Sequence, residues 1–227
     1  MNNRISAIFS NSKKKLITFV TGGDPDFETS NEIIENLAIS GADIIEIGMP
    51  FSDPMADGPT IQLSSLRAIQ KGTDLNMIFN ICKNFRKKNN ITPLILMGYY
   101  NVIYQYGENN FIGICKKVGV DGLIVVDLPY PENKAFAKKC KKKNINFIQL
   151  VSPTTSSKRM KNIIKDSHDM VYYISMLSTT GGKLKVLPKK ILERYNKIKG
   201  LNKNKNIVIG FGITEKTIAS LKKADGL

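Results

Sequence analysis

The chain has 227 residues, 42% of them hydrophobic, 23% charged and 8% aromatic. A unit of this size buries roughly 70% of its unfolded surface, and the composition excludes a disordered or collagen-like chain. The net charge of +15 invites a nucleic-acid reading, but its distribution argues against one: residues 1–75 hold 6 basic and 10 acidic side chains, and only 5 of the 34 cations are Arg.

The start, MNNRISAIFSNSKKK, lacks the apolar core of a signal peptide, and no apolar run approaches the ~20 residues of a membrane span. A cytosolic protein is expected, with no nucleic-acid or membrane partner. Segment 2–9 reads as a short leading helix. Seven β-branched runs follow as strand candidates, at 16–21, 43–48, 93–98, 122–127, 145–151, 170–175 and 206–210. Amphipathic helical patterns lie between them: one after Pro25, where Asp24 can cap, then 59–71, 74–89, 108–118, 131–143, 156–166, 188–199 and 214–223. The cluster from Lys138 to Lys143 falls at the end of one such helix, where cations suit the helix dipole.

Strands apolar on both faces that alternate with helices form a parallel sheet covered by helices. Seven such units without a break in composition predict one domain over 1–227, a (β/α)8 TIM barrel. After the seventh helix, Ala224-Asp225-Gly226-Leu227 reads as the start of an eighth strand, so the expected barrel is cut short there.

Most familiar catalytic kits are missing. Cys82, Cys115 and Cys140 fit no metal or redox spacing, and His168 is the only histidine, so no metal site is expected. In a parallel barrel the chemistry sits at the carboxyl ends of the strands. Glu46 there interrupts the apolar run IIEIG. A carboxyl group in that setting is either paired for structural reasons or catalytic, and burial would raise its pKa toward the range of a general acid–base. Asp57 is either a second functional acid or a turn residue before Gly58-Pro59. Gly210-Phe211-Gly212, opening a helix, suits a phosphate or simply a turn. The Gly-rich segment 178–183 is a closing lid or a plain loop.

The run Glu46-Ile47-Gly48-Met49-Pro50-Phe51-Ser52-Asp53-Pro54-Met55-Ala56-Asp57-Gly58-Pro59-Thr60-Ile61-Gln62 resembles the signature of the tryptophan synthase alpha chain family. FVTGGDPD (19–26), YYN (99–101), VGVDGLIVVDLP (118–129) and VIGFGI (208–213) extend the resemblance along the chain. It implies retro-aldol cleavage of indole-3-glycerol phosphate to indole and glyceraldehyde 3-phosphate. Glu46 would then be the acid–base, and Asp57 would hydrogen-bond the indole N–H. Phe19 and Phe211 would flank the substrate's indole and Tyr172 would be the active-site tyrosine, with Tyr173 turned toward the helices. Thr180, Gly181, Gly210 and Gly212 would complete its binding site. The resemblance also implies an α2β2 complex with a beta chain that carries pyridoxal phosphate, this chain holding no cofactor itself. Pro50 and Asp53 would meet that partner. A phosphosugar isomerase or epimerase barrel and a non-catalytic chain that activates a beta chain are the alternative readings.

Overall fold

The computed structural model describes residues 4–11, 13–175, 187–210 and 213–227. Along the chain run α1 (Arg4–Ile8), β1 (Ile17–Thr21), α2 (Phe27–Ile39), β2 (Ile44–Gly48), α3 (Pro59–Gln70), α4 (Leu75–Lys88) and β3 (Leu94–Gly98). Next come α5 (Tyr100–Tyr106), α6 (Glu108–Lys117), β4 (Gly122–Val125), α7 (Lys134–Lys142), β5 (Asn146–Phe147), β6 (Gln149–Val151) and α8 (Ser157–Asp166). β7 (Met170–Ile174), α9 (Pro188–Leu201), β8 (Asn206–Gly210) and α10 (Glu215–Leu221) complete the series.

All strand pairs are parallel. β1 to β5 lie in order, with Phe19 opposite Glu46 and Glu46 opposite Ile95, and β6 to β8 form a second run with Tyr172 opposite Val208. The predicted strand 145–151 is two short pieces, β5 and β6, joined at Ile148, whose N–H reaches Leu123 O at 2.9 Å. The circle closes through residues 225–227. Gly226 bridges to both Lys15 and Val208, Ile17 N donates to Leu227 O at 2.8 Å, and Ile209 N donates to Gly226 O at 3.0 Å. These three residues therefore occupy the eighth strand position.

Period-2 alternation sorts each strand into two faces. Ile44, Ile95, Met97, Ile124, Ile148, Met170, Tyr172 and Val208 fill the barrel interior, with Ile5 of α1 buried among them. Residues of opposite parity, such as Ile45, Ile47, Leu94, Leu96 and Leu123, pack outward against the helices. All three cysteines are buried, Cys82 of α4, Cys115 of α6 and Cys140 of α7. At the amino end of the strands Asp121 accepts from Arg4 Nη1 (2.8 Å), Arg86 Nη2 (2.7 Å) and Leu94 N (2.9 Å).

Local signals explain most helix starts. Asp74 and Ser156 cap α4 and α8 by accepting from Met77 N (2.9 Å) and Arg159 N (3.4 Å). Pro59 and Pro188 open α3 and α9. One expected cap is displaced: Asp26 caps α2 by accepting from Thr29 N at 2.8 Å, while Asp24 holds Arg67 through two 2.8 Å bonds. The helix α5 has no counterpart in the sequence pattern, because its first N–H is satisfied by Asp127, 27 residues further on.

Candidate active site

Glu46 projects inward from β2, two residues before the strand's carboxyl end, and only 2% of it is exposed. Its neighbours across the ladder are Phe19 and Ile95, and its Oε1 has no hydrogen-bond partner among the described residues. Among the described residues, Oε1 has lost its water without gaining a donor. Burial therefore pushes its pKa up from the ordinary 4.5 to about 8, so the group is mostly protonated at pH 7. The structural reading of Glu46, a paired buried acid, finds no partner for Oε1 among the described residues.

Tyr172 enters the interior from β7, as its parity requires, while Tyr173 packs among the helices. Burial, and then the proximity of Glu46, holds the Tyr172 hydroxyl well above its usual range. Gly210 is the residue that makes room for this ring: a Cβ there would lie 1.9 Å from Tyr172 Oη and 2.2 Å from Cζ. Gly48 does the same for Phe19, whose Cζ would stand 2.7 Å from an added Cβ. Two glycines at strand ends thus let two aromatic rings lie across the mouth of the barrel near Glu46.

Asp57 sits in the loop after β2, partly exposed. Its N–H bonds back to Pro54 O at 2.9 Å, its carbonyl accepts from Gln62 Nε2 at 2.8 Å, and its Oδ2 accepts from the Tyr99 hydroxyl at 2.9 Å. Asp57 is therefore a turn residue in its backbone and a held carboxylate in its side chain. Tyr99 is the site residue that motif reasoning passed over, although it opens the YYN run after β3. Its hydroxyl also accepts from Ala56 N at 2.9 Å, and its ring lies 5.2 Å from that of Phe51. Burial is the main reason that this hydroxyl's pKa is raised.

Phe19, Gly48, Asp57, Met97 and Tyr99 line one small cavity of about 20 Å3. A roomier one of about 350 Å3 opens beside it, from the inward residues Val126, Leu150 and Ile174 to the rim at Ser152, Thr155 and Arg159. A larger cavity, about 970 Å3, lies at the opposite end of the barrel. Its Arg4 is paired with Asp121 and its Asp169 accepts from Ser6 Oγ at 2.7 Å.

The structure brings Glu46, Phe19, Tyr172, Gly210 and Asp57 to the carboxyl end of the strands. Pro50 is half-buried and Asp53 exposed in the same β2 loop. Thr180, Gly181, Phe211 and Gly212 lie outside the described residues, as does the candidate lid at 178–183. No cluster of three or more His, Cys, Asp or Glu able to hold a metal occurs among the described residues, and no helix there is long and apolar enough to cross a membrane.

A closed parallel barrel with a buried acid inside its mouth and a tyrosine-held carboxylate at the rim places the chain among proteins of the (β/α)8 class. Comparison with known proteins narrows this class. The model of the tryptophan synthase alpha chain family matches residues 5–227, and the chain belongs to that family. The tryptophan synthase alpha chain of Pelagibacter ubique (strain HTCC1062) is 67% identical over 227 residues, all of this chain and 85% of that one. Tryptophan synthase subunit alpha from Legionella pneumophila str. Paris superposes with a TM-score of 0.90 at 37% identity, over 100% of this chain and 85% of that one. A chain from the tryptophan synthase α2β2 complex of Pyrococcus furiosus gives 0.85 at 38% identity, over 95% and 86%.

Proposed function

We propose that this chain is the alpha subunit of a tryptophan synthase and that Glu46 and Asp57 carry its lyase reaction, the retro-aldol cleavage of indole-3-glycerol phosphate. The observation that carries the assignment is the buried Glu46 carboxyl on an otherwise apolar strand, its Oε1 without a partner among the described residues. Protonated, it can deliver its proton to the indole ring carbon that bears the glycerol chain. The carboxylate left behind then takes the proton of the glycerol hydroxyl. As that hydroxyl becomes the aldehyde of glyceraldehyde 3-phosphate, the electron pair of the breaking carbon–carbon bond returns to the ring and gives indole. One proton enters and one leaves, so a single group with a pKa near neutrality serves both transfers.

The ring nitrogen becomes positively charged between these steps. Asp57, held by Tyr99, accepts the indole N–H and stabilises that charge. Phe19 and Phe211 flank the indole ring beside Tyr172, while Gly181, Gly210 and Gly212 take the phosphate end and Thr180 completes the substrate contacts. The chemistry needs neither metal nor redox cofactor. A beta chain carrying pyridoxal phosphate would receive the indole in an α2β2 assembly, with Pro50 and Asp53 on the contact surface. Because the same loop carries Asp57, docking of the partner can order the catalytic carboxylate.

Purified protein, with and without a beta chain, is assayed for indole released from indole-3-glycerol phosphate. Glu46→Gln and Asp57→Asn should each lower kcat by about 10²-fold or more while the circular dichroism stays native. Near-normal turnover in either folded variant overturns that residue's role.

A further inference from the structure

The exit of β3 is tied to the end of β4 at two points. Val126 N donates to Gly98 O at 3.0 Å, and Tyr100 N donates to the Asp127 carboxylate at 2.7 Å. Tyr99 is the residue between these ties. With Gly98 and Tyr100 both fixed, its backbone takes one orientation (φ −106°, ψ 145°), and its ring is aimed over the loop that carries Asp57.

The side-chain tie matters because α5 cannot supply it. The helix is only seven residues long, its cap residue Tyr99 makes no side-chain cap bond, and its first turn holds no acid. An uncapped short helix frays from its first N–H groups. Asp127 takes the place of the missing cap from another strand, in the geometry of a charge-assisted hydrogen bond. From there a continuous path runs to the site: the Asp127 carboxylate to Tyr100 N–H, the peptide to Tyr99, the Tyr99 hydroxyl to Asp57 Oδ2 at 2.9 Å and to Ala56 N at 2.9 Å.

We infer that Asp127 is a positioning residue for the lyase reaction, fixing Tyr99 and through it the catalytic carboxylate of Asp57. The inference rests on the reading of Asp57 given above. Asp127 touches no reacting atom. It acts by accepting one backbone N–H, so any acceptor of the same reach can replace it. The Val126 bond survives its loss, which leaves the barrel closed while the Tyr99 ring is released.

The experiment compares Asp127→Ala, Asp127→Asn, Tyr99→Phe and the double variant Asp127→Ala/Tyr99→Phe in the intact chain with its beta partner, with Asp57→Asn as reference. Misplacing a catalytic group by a fraction of an ångström predicts that Asp127→Ala lowers kcat about tenfold with KM within about twofold. Asp127→Asn, which keeps an acceptor oxygen, should retain most of kcat. The double variant should fall no further than the more damaging single one, because both act through Asp57. Wild-type kcat in Asp127→Ala, an equal loss in Asp127→Asn, or multiplying losses in the double variant each overturns the inference. If Asp127→Ala does not fold, Asp127→Asn decides alone: near-native kcat supports a neutral acceptor, and a tenfold loss refutes it. Full activity in Asp57→Asn sinks the site reading itself. An inactive Asp57→Asn beside normal Asp127→Ala and Tyr99→Phe variants sinks only the positioning step.

Discussion

Replacing Glu46 by Gln should make the protein's stability less sensitive to pH, and the size of the effect follows from burial. The native carboxyl titrates near 8 instead of 4.5 because it is fully desolvated and no donor or cation reaches Oε1. In the native state it keeps its proton over a range in which the unfolded chain has released it. The stability linked to this proton is intact below about pH 4.5 and is lost as pH rises toward and through about 8. At 1.36 kcal/mol per pH unit, the whole interval from 4.5 to about 8 is worth about 5 kcal/mol, and the part between pH 5 and 7 about 3 kcal/mol. Glutamine cannot titrate. Its buried amide carries a penalty of its own, about 1–3 kcal/mol when unpaired, but that penalty is the same at every pH. Thermal melts of both proteins at pH 5, 6, 7 and 8 measure the difference directly. The variant should gain on the wild type by about 6 to 12 °C in melting temperature between pH 5 and 7, at the 2–4 °C per kcal/mol expected for a chain of this size. A difference that stays flat from pH 5 to 8 would show that Glu46 is already ionised in the folded barrel. The desolvation reasoning would then be wrong, and with it the proton the mechanism draws on.

Gly210→Ala should abolish lyase turnover and destabilise the barrel by about 1–3 kcal/mol, since its Cβ would lie 1.9 Å from Tyr172 Oη. Denaturation of the double variant Gly210→Ala/Tyr172→Leu should recover much of that stability, and failure to do so would place the clash elsewhere. Asp121→Ala leaves the Arg86 guanidinium, 9% exposed, without its carboxylate partner, which predicts a loss of about 3–5 kcal/mol in urea unfolding. Adding Arg86→Met should return part of that loss; an unchanged midpoint in Asp121→Ala would show the pair to be dispensable.

The strands and most helices are legible because their signals are local. The inward or outward sense of Tyr172 and Tyr173 follows from parity alone, and the caps of α4 and α8 are neighbours in sequence. Glu46 could be singled out because a carboxylate in IIEIG violates its own strand's pattern. Other features depend on partners far along the chain. The α5 helix lacked a local cap, Asp24 was drawn away from α2 by Arg67, and the role of Gly210 lies in a ring 38 positions earlier. The role of Tyr99 in the YYN run is not legible locally, since nothing adjacent to it in sequence shows that its hydroxyl reaches Asp57.

The sequence by itself determined the alternation of strand and helix, the barrel it folds into, and the family to which the chain belongs. These rest on hydrophobic period and on a long contiguous motif, both of which survive in one dimension. Only the tertiary structure decided that Glu46 is buried with its Oε1 unpartnered among the described residues, that Asp57 hangs from Tyr99, and that residues 225–227 close the circle between β1 and β8. Each of these is a question of which groups meet across the barrel. Desolvation and hydrogen bonding depend on distances in space, and those exist only once the strands have closed.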